Sequence, residues 1–183
     1  MDGTSMVGAI EALDAAEIPA ADSDVCAVLL GHIKRTRGWL DAVEARVTSR
    51  LNQLYETAGA APAADLHSRC GGVSSAEGKR KDRRSKTLDE APSFGEALAD
   101  GTIGAEHVDA LANATTKLDD DIEASLFDDE AALLDAAATM SPERLGATSA
   151  TLSAARNETT ASNATTGNAA RRSCPGAPTR PTA

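Results

Sequence analysis

A chain of 183 residues suffices for one domain with a real core, or one domain plus a tail. Hydrophobic residues make up 42% but aromatics only 2%, so any core must be built from Leu, Ile, Val and Ala, the usual material of helix packing. A net charge of -10 excludes a surface adapted all over for nucleic acid and leaves room only for a local basic patch.

In chain order, a short helix is expected near Ser5–Ala16, and Pro19 breaks it. Asp22 or Ser23 then caps a long helix running to about Ala58. Along it Val25, Leu29, Ile33, Leu40, Val43, Val47, Leu51 and Leu54 recur at separations of three, four or seven, which is one apolar stripe at helical period. Gly31 and Gly38 share a face of that helix. Either another helix approaches closely there, or the glycines are merely tolerated. Gly59 supplies the stop. Residues 60–72 (AAPAADLHSRCGG) read as a loop.

Ser74-Ser75-Ala76-Glu77 matches the capping box, in which Ser and Glu satisfy free amides at a helix start. The helix that follows is poor in apolar residues and dense in charge. Pro92 opens a brief helix carrying Phe94, Ala97 and Leu98 and stopped by Gly101. Another helix covers about Ala105–Thr115 and buries Val108 and Leu111. A longer one follows at about Asp119–Thr139, with Ile122, Leu126, Leu133 and Met140 on one side. Its other face is acidic: Asp119, Asp120, Asp121, Glu123, Asp128, Asp129, Glu130 and Asp135. Ser141-Pro142-Glu143 announces one more helix. No segment alternates like a strand for long enough to be one. The expected fold is all-α, a bundle of five or six helices with one long N-terminal helix.

The expected organisation is a partly helical N-terminal segment over 1–21, a helical domain over 22–146, and a tail over 147–183. That tail is rich in Ala, Thr, Ser and Asn and has no helical stripe to bury, so by composition it is disordered. The helix start at Ser141 would then lead nowhere. A frameshift accounts for this, because the shifted reading of Glu158–Ala164 permits a charged string such as Asp-Asp-Gly-Ile-Glu-Arg. If the chain is truncated in this way, apolar faces near Leu133 and Met140 are left uncovered.

Cys26, Cys70 and Cys174 are odd in number and form no C-x2-4-C pair, so a structural zinc is not expected and a reduced, cytoplasmic setting is. The N-terminus lacks a basic start followed by an apolar run, and Val25–Leu30 is too short to span a bilayer, so no membrane association is expected. His32, His67 and His107 read as structural or surface residues. His107 has Glu106 and Asp109 beside it but no second His or Cys at ligand spacing. No catalytic residue, metal or cofactor is expected. Asp119-Asp120-Asp121 lacks the alternating ligands and central glycine of a calcium loop. Trp39 reads as a core or helix-contact residue.

The one run suited to nucleic acid is Lys79, Arg80, Lys81, Arg83, Arg84 and Lys86, with Asp82 as its only acid. Phosphate contact there would release counterions and be salt-dependent. No aromatic lies nearby for base stacking. The competing reading is a solvated helix partly paired with the acidic helix at 119–135.

The stretches GWLDAVEARVTSRLNQLYE and GGVSSAEGKRKDRRSKTLDEAPSFGEALADGTIGAEHVDALANAT, with the Ser-Pro-Glu-Arg turn, resemble a known family. It is the helical domain of unknown function that leads many actinobacterial HNH endonuclease proteins, the thirteen-E-twelve repeat family. The most specific piece is Pro92–Ala112, a proline, an F-x-x-A-L-x-x-G turn and an I-x-x-x-H-V-x-A-L helix. The match covers roughly residues 20–145. The resemblance implies that nuclease chemistry belongs to a later HNH module, none of whose residues can be placed on this chain. It therefore implies a non-catalytic helical region, DNA-associated in its parent through the basic helix. The alternative is a helical scaffold that binds protein or pairs with itself and has no nucleic-acid role.

Overall fold

The computed structural model describes residues 6–116, 127 and 129–151. Every regular element among them is helical: α1 (Met6–Asp14), a 3-10 turn (Ile18–Ala20), α2 (Ser23–Ala58), α3 (Ala63–Cys70), α4 (Ser75–Glu90), α5 (Pro92–Ala99), α6 (Ala105–Thr115) and α7 (Glu130–Thr139). A further helical segment, α8, covers 142–151. The all-α expectation holds. No helix among the described residues is long and apolar enough to cross a membrane.

The helix ends follow from local chemistry. Asp22 caps α2, its carboxylate accepting from the amides of Asp24 (3.1 Å) and Val25 (2.9 Å). At the other end Gly59 turns left-handed with φ 64°, a conformation glycine adopts without penalty. The Ser74 hydroxyl accepts from the Glu77 amide, so the forward half of the capping box forms. The Glu77 carboxylate turns instead to Arg80. The amide of Ser93, in the first turn of α5, is capped from a distance, donating to the Glu130 carboxylate at 2.7 Å.

Residues 60–72 are not simply a loop, because α3 lies inside them. Proline is tolerated at a helix start, where its missing N–H costs nothing. Asp65 in the first turn and Arg69 in the last complement the helix dipole. Ala63 and His67, four apart, are the two positions that face inward.

The apolar core gathers Phe94 and Leu98 of α5, Ile103, Val108 and Leu111 of α6 and its approach, Leu133 and Ala137 of α7, and Leu145 of α8. Leu133 is thus covered, not left bare as truncation would have it, while Met140 is half-buried. The segment α8 runs past residue 146, the expected edge of the domain, because Leu145 and Ser149, one turn apart, are both fully buried. Residues 152–183, most of the expected tail, lie outside the described residues. So do Asp119, Asp120, Asp121, Glu123 and Asp128 of the acidic face.

Helix α2 reverses the simplest expectation. The residues it buries are Gly38, Ala42, Ala45 and Thr48, not the Val and Leu stripe. Small side chains let the neighbours come close. A Cβ on Gly38 would stand 2.3 Å from the Leu98 carbonyl oxygen, so α5 crosses α2 in contact there. Gly31, which shares that face, meets nothing within 4 Å.

Candidate functional site

The six cations of α4 are divided by the helix. Arg84 is only 5% exposed. Its Nε and Nη2 donate to the two Asp109 carboxylate oxygens at 2.8 and 2.7 Å, a bidentate pair between α4 and α6. Asp41 of α2 stands 3.4 Å away on the same guanidinium. Burial alone would favour loss of the Arg84 proton, but the Asp109 hydrogen bonds and charge, with Asp41 behind them, more than reverse this and hold it charged. The same burial pushes the Asp41 carboxyl up from its ordinary value, an effect that Arg84 only partly offsets.

Lys81 also points inward and pairs with Glu44 of α2. Arg80 is half-exposed and bridges Glu77 and Asp109. Lys79, Arg83 and Lys86 remain outside, at spacings of four and three that place them on one outward stripe. Lys86 is paired within its own helix to Asp82. The acids that meet this helix therefore come largely from α2, α6 and α4 itself. Of the acidic helix expected as its partner, most of the first half lies outside the described residues.

A second constellation was not legible in sequence. The Thr48 Oγ1 and His67 Nε2 lie 2.8 Å apart, and the His67 Nδ1 faces Glu44 at 3.7 Å. This has the outline of a nucleophile, a base and an orienting acid. Two facts oppose that role. Thr48 is 0% exposed, so no substrate reaches its hydroxyl. Its proton is already donated to the Glu44 carbonyl at 2.8 Å, so the His67 Nε2–H must donate to Thr48 and cannot act as its base. The group is a structural knot linking α3 to α2.

His107 is likewise committed. Its Nδ1 accepts from the Gly104 amide at 3.2 Å and its Nε2 donates to the Met140 carbonyl at 3.1 Å. That ties the start of α6 to the turn after α7. The Nδ1 of His32 is buried without a hydrogen-bond partner. No group of three or more metal-ligating side chains occurs among the described residues.

Two concavities remain. An open cleft of about 570 Å³ is lined by Arg80, Glu106, Asp109, Asn113 and Glu143, with Gly146 and Ala150 of α8. A more enclosed and more apolar groove of about 460 Å³ lies between α2, α4 and α5. Its lining includes Trp39, Ala42, Leu88, Pro92, Gly95 and Ala99, with Arg46 on the α2 side and Asp89 and Glu96 on the other. Trp39 is therefore a rim residue, 38% exposed, and not a core one. Beside this groove the outward stripe of α2 leaves Leu40 54% and Val47 53% exposed.

The described residues thus bring together a buried polar seam and an outward apolar ridge flanked by an apolar groove. A family model described as a domain of unknown function (DUF222) matches residues 29–178 of the chain. Searches of curated proteins and of solved structures found no match.

Proposed function

The chain belongs to the DUF222 family, a domain of unknown function, and from that premise we propose that it is a non-catalytic helical docking module. Its resemblance to the leading region of HNH endonuclease-type proteins gives the context, in which the module braces a nuclease carried elsewhere. One observation carries the reading. The apolar stripe of α2 faces outward at Leu40 and Val47, while the same helix turns Gly38, Ala42, Ala45 and Thr48 to its own bundle. A large exposed apolar surface rimmed by charge is the mark of a protein-contact face. Two of the six α4 cations, Arg84 and Lys81, are spent on pairs with the acids of α6 and α2.

The test is incubation of supercoiled plasmid with the purified chain and Mg²⁺ or Mn²⁺. The DNA is expected to remain intact. Nicking that a point change in the chain abolishes would overturn the reading.

A second reading has its own support, the outward stripe of Lys79, Arg83 and Lys86. One turn of helix between cations approaches the spacing of successive phosphates, so this stripe suits a nucleic-acid backbone and no base sequence. Fluorescence anisotropy with a labelled duplex checks it. Binding at about 50 mM salt should fall steeply by about 200 mM. It should vanish when Lys79, Arg83 and Lys86 are all changed to Ala. Binding that ignores salt, or none at low salt, removes this second reading.

A further inference from the structure

We propose that the partner of the α2 face is a second copy of this chain, paired ridge into groove about a two-fold axis; this rests on the docking-module reading above. The ridge is the outward run of α2, with Leu40 and Val47 exposed and Val43 half-buried between them. The groove is the 460 Å³ trough immediately beside it, walled by α4 and α5 and edged by Trp39. A surface carrying a ridge next to a groove complements itself. A two-fold axis between them seats each ridge in the partner's groove, and both halves of the contact are then the same contact. The two α2 helices run antiparallel across that axis.

Charge selects the same occupant. Arg46 stands on the ridge side of the groove, Asp89 and Glu96 on the far side. Among the described residues neither Arg46 nor Glu96 takes part in an ion pair within the chain. Rotation about the axis carries Arg46 of one copy towards Glu96 and Asp89 of the other, and the reciprocal pair forms by symmetry. A partner helix with an acidic flank would instead be repelled by Asp89 and Glu96. The exposed ridge from residue 39 to residue 55 is about 24 Å long at 1.5 Å per residue, and both copies contribute one.

The 183-residue chain is its own probe, because Trp39 is its only tryptophan and sits on the groove edge. Light scattering after size exclusion, over about 1 to 100 μM, should show a monomer passing to a dimer, with Trp39 emission moving to shorter wavelength in step. The Leu40→Asp/Val47→Asp variant should stay monomeric with an unchanged circular dichroism melt, since both side chains are exposed. Arg46→Glu should weaken the dimer at least about tenfold, and adding Glu96→Arg should restore it. A monomer at every concentration overturns the inference. So does a dimer that the double Asp variant fails to dissociate, or a charge-swapped pair no tighter than Arg46→Glu alone. These outcomes are separable from failure of the docking-module reading, which nicking of plasmid by the chain would overturn in either oligomeric state.

Discussion

The molecule holds itself together by two unlike means. Around α5, α6, α7 and α8 the contacts are apolar: Phe94, Leu98, Ile103, Val108, Leu111 and Leu145 are fully buried. Where α4 meets α2 and α6, the contacts are polar. Arg84 pairs with Asp109 and Asp41, Lys81 with Glu44, the Ser85 hydroxyl donates to the Ala45 carbonyl at 2.9 Å, and Asn52 donates to Asp82 at 2.8 Å. Apolar burial is non-directional and stabilises any arrangement that excludes water. Bidentate pairs and single hydrogen bonds work in one register only, and an unpaired member is costly. The two halves divide the labour: the apolar half supplies stability and the polar seam chooses how α4 lies on α2.

Unpairing the seam should have the largest effect. Asp109→Ala strips the buried Arg84 guanidinium of its bidentate partner and leaves it only the 3.4 Å contact with Asp41, and should cost about 3–5 kcal/mol in urea unfolding. Replacing both partners with apolar residues, Arg84→Met with Asp109→Leu, should recover most of that loss. In the apolar half there is no charge left unpaired, and Leu98→Ala should cost about 2–5 kcal/mol through lost burial and a residual cavity. If the Arg84 and Asp109 changes prove simply additive, the seam is not a coupled unit.

Thr48→Val keeps the shape but strips the acceptor from the His67 Nε2, and should cost about 1–3 kcal/mol by the same measurement. Asp41 offers a pH readout. Its folded carboxyl is raised, so the folded state holds that proton more tightly than the unfolded chain. The favourable contribution is complete below 3.8 and is lost as pH rises through the window from 3.8 to the raised folded value. Asp41→Asn should remove that decline and give a flatter stability profile across the window. The smallest effect belongs to Lys79, which is exposed and unpaired, where Lys79→Ala should shift stability by less than about 0.5 kcal/mol.

Much of the fold was legible because it is written in local chemistry. The cap at Asp22, the stop at Gly59, the Ser74 start, the Pro92 opening and the limits of α6 depend on residues within a turn of the feature they set. The loop expected at 60–72 failed for an instructive reason. Alanine and proline there resemble linker composition, yet Pro62 stands where a helix accepts it and the Ala63/His67 face finds a floor on α2 and α4. The candidate site was legible only in part. The basic run on α4 was plain, but a list of cations does not say which face each occupies. The inward set, Gly78, Lys81, Ser85 and Arg84, carried one usable signal: two small residues share a helix face with two of the charges, which is the pattern of a tight crossing and not of a solvated surface.

Local residue chemistry is enough to make this protein helical, to set where most of its helices begin and end, and to put an apolar stripe on α2. Which side of α2 faces the bundle depends on the packing of distant helices. Period identifies a stripe but not its partner, and here the close backbone approach of α5 at Gly38 drew the small-residue face of α2 inward and left Leu40 and Val47 outside. Long-range pairing decided the rest, because Arg84 and Asp109, or Thr48 and His67, meet only once helices far apart in the chain have been laid across one another.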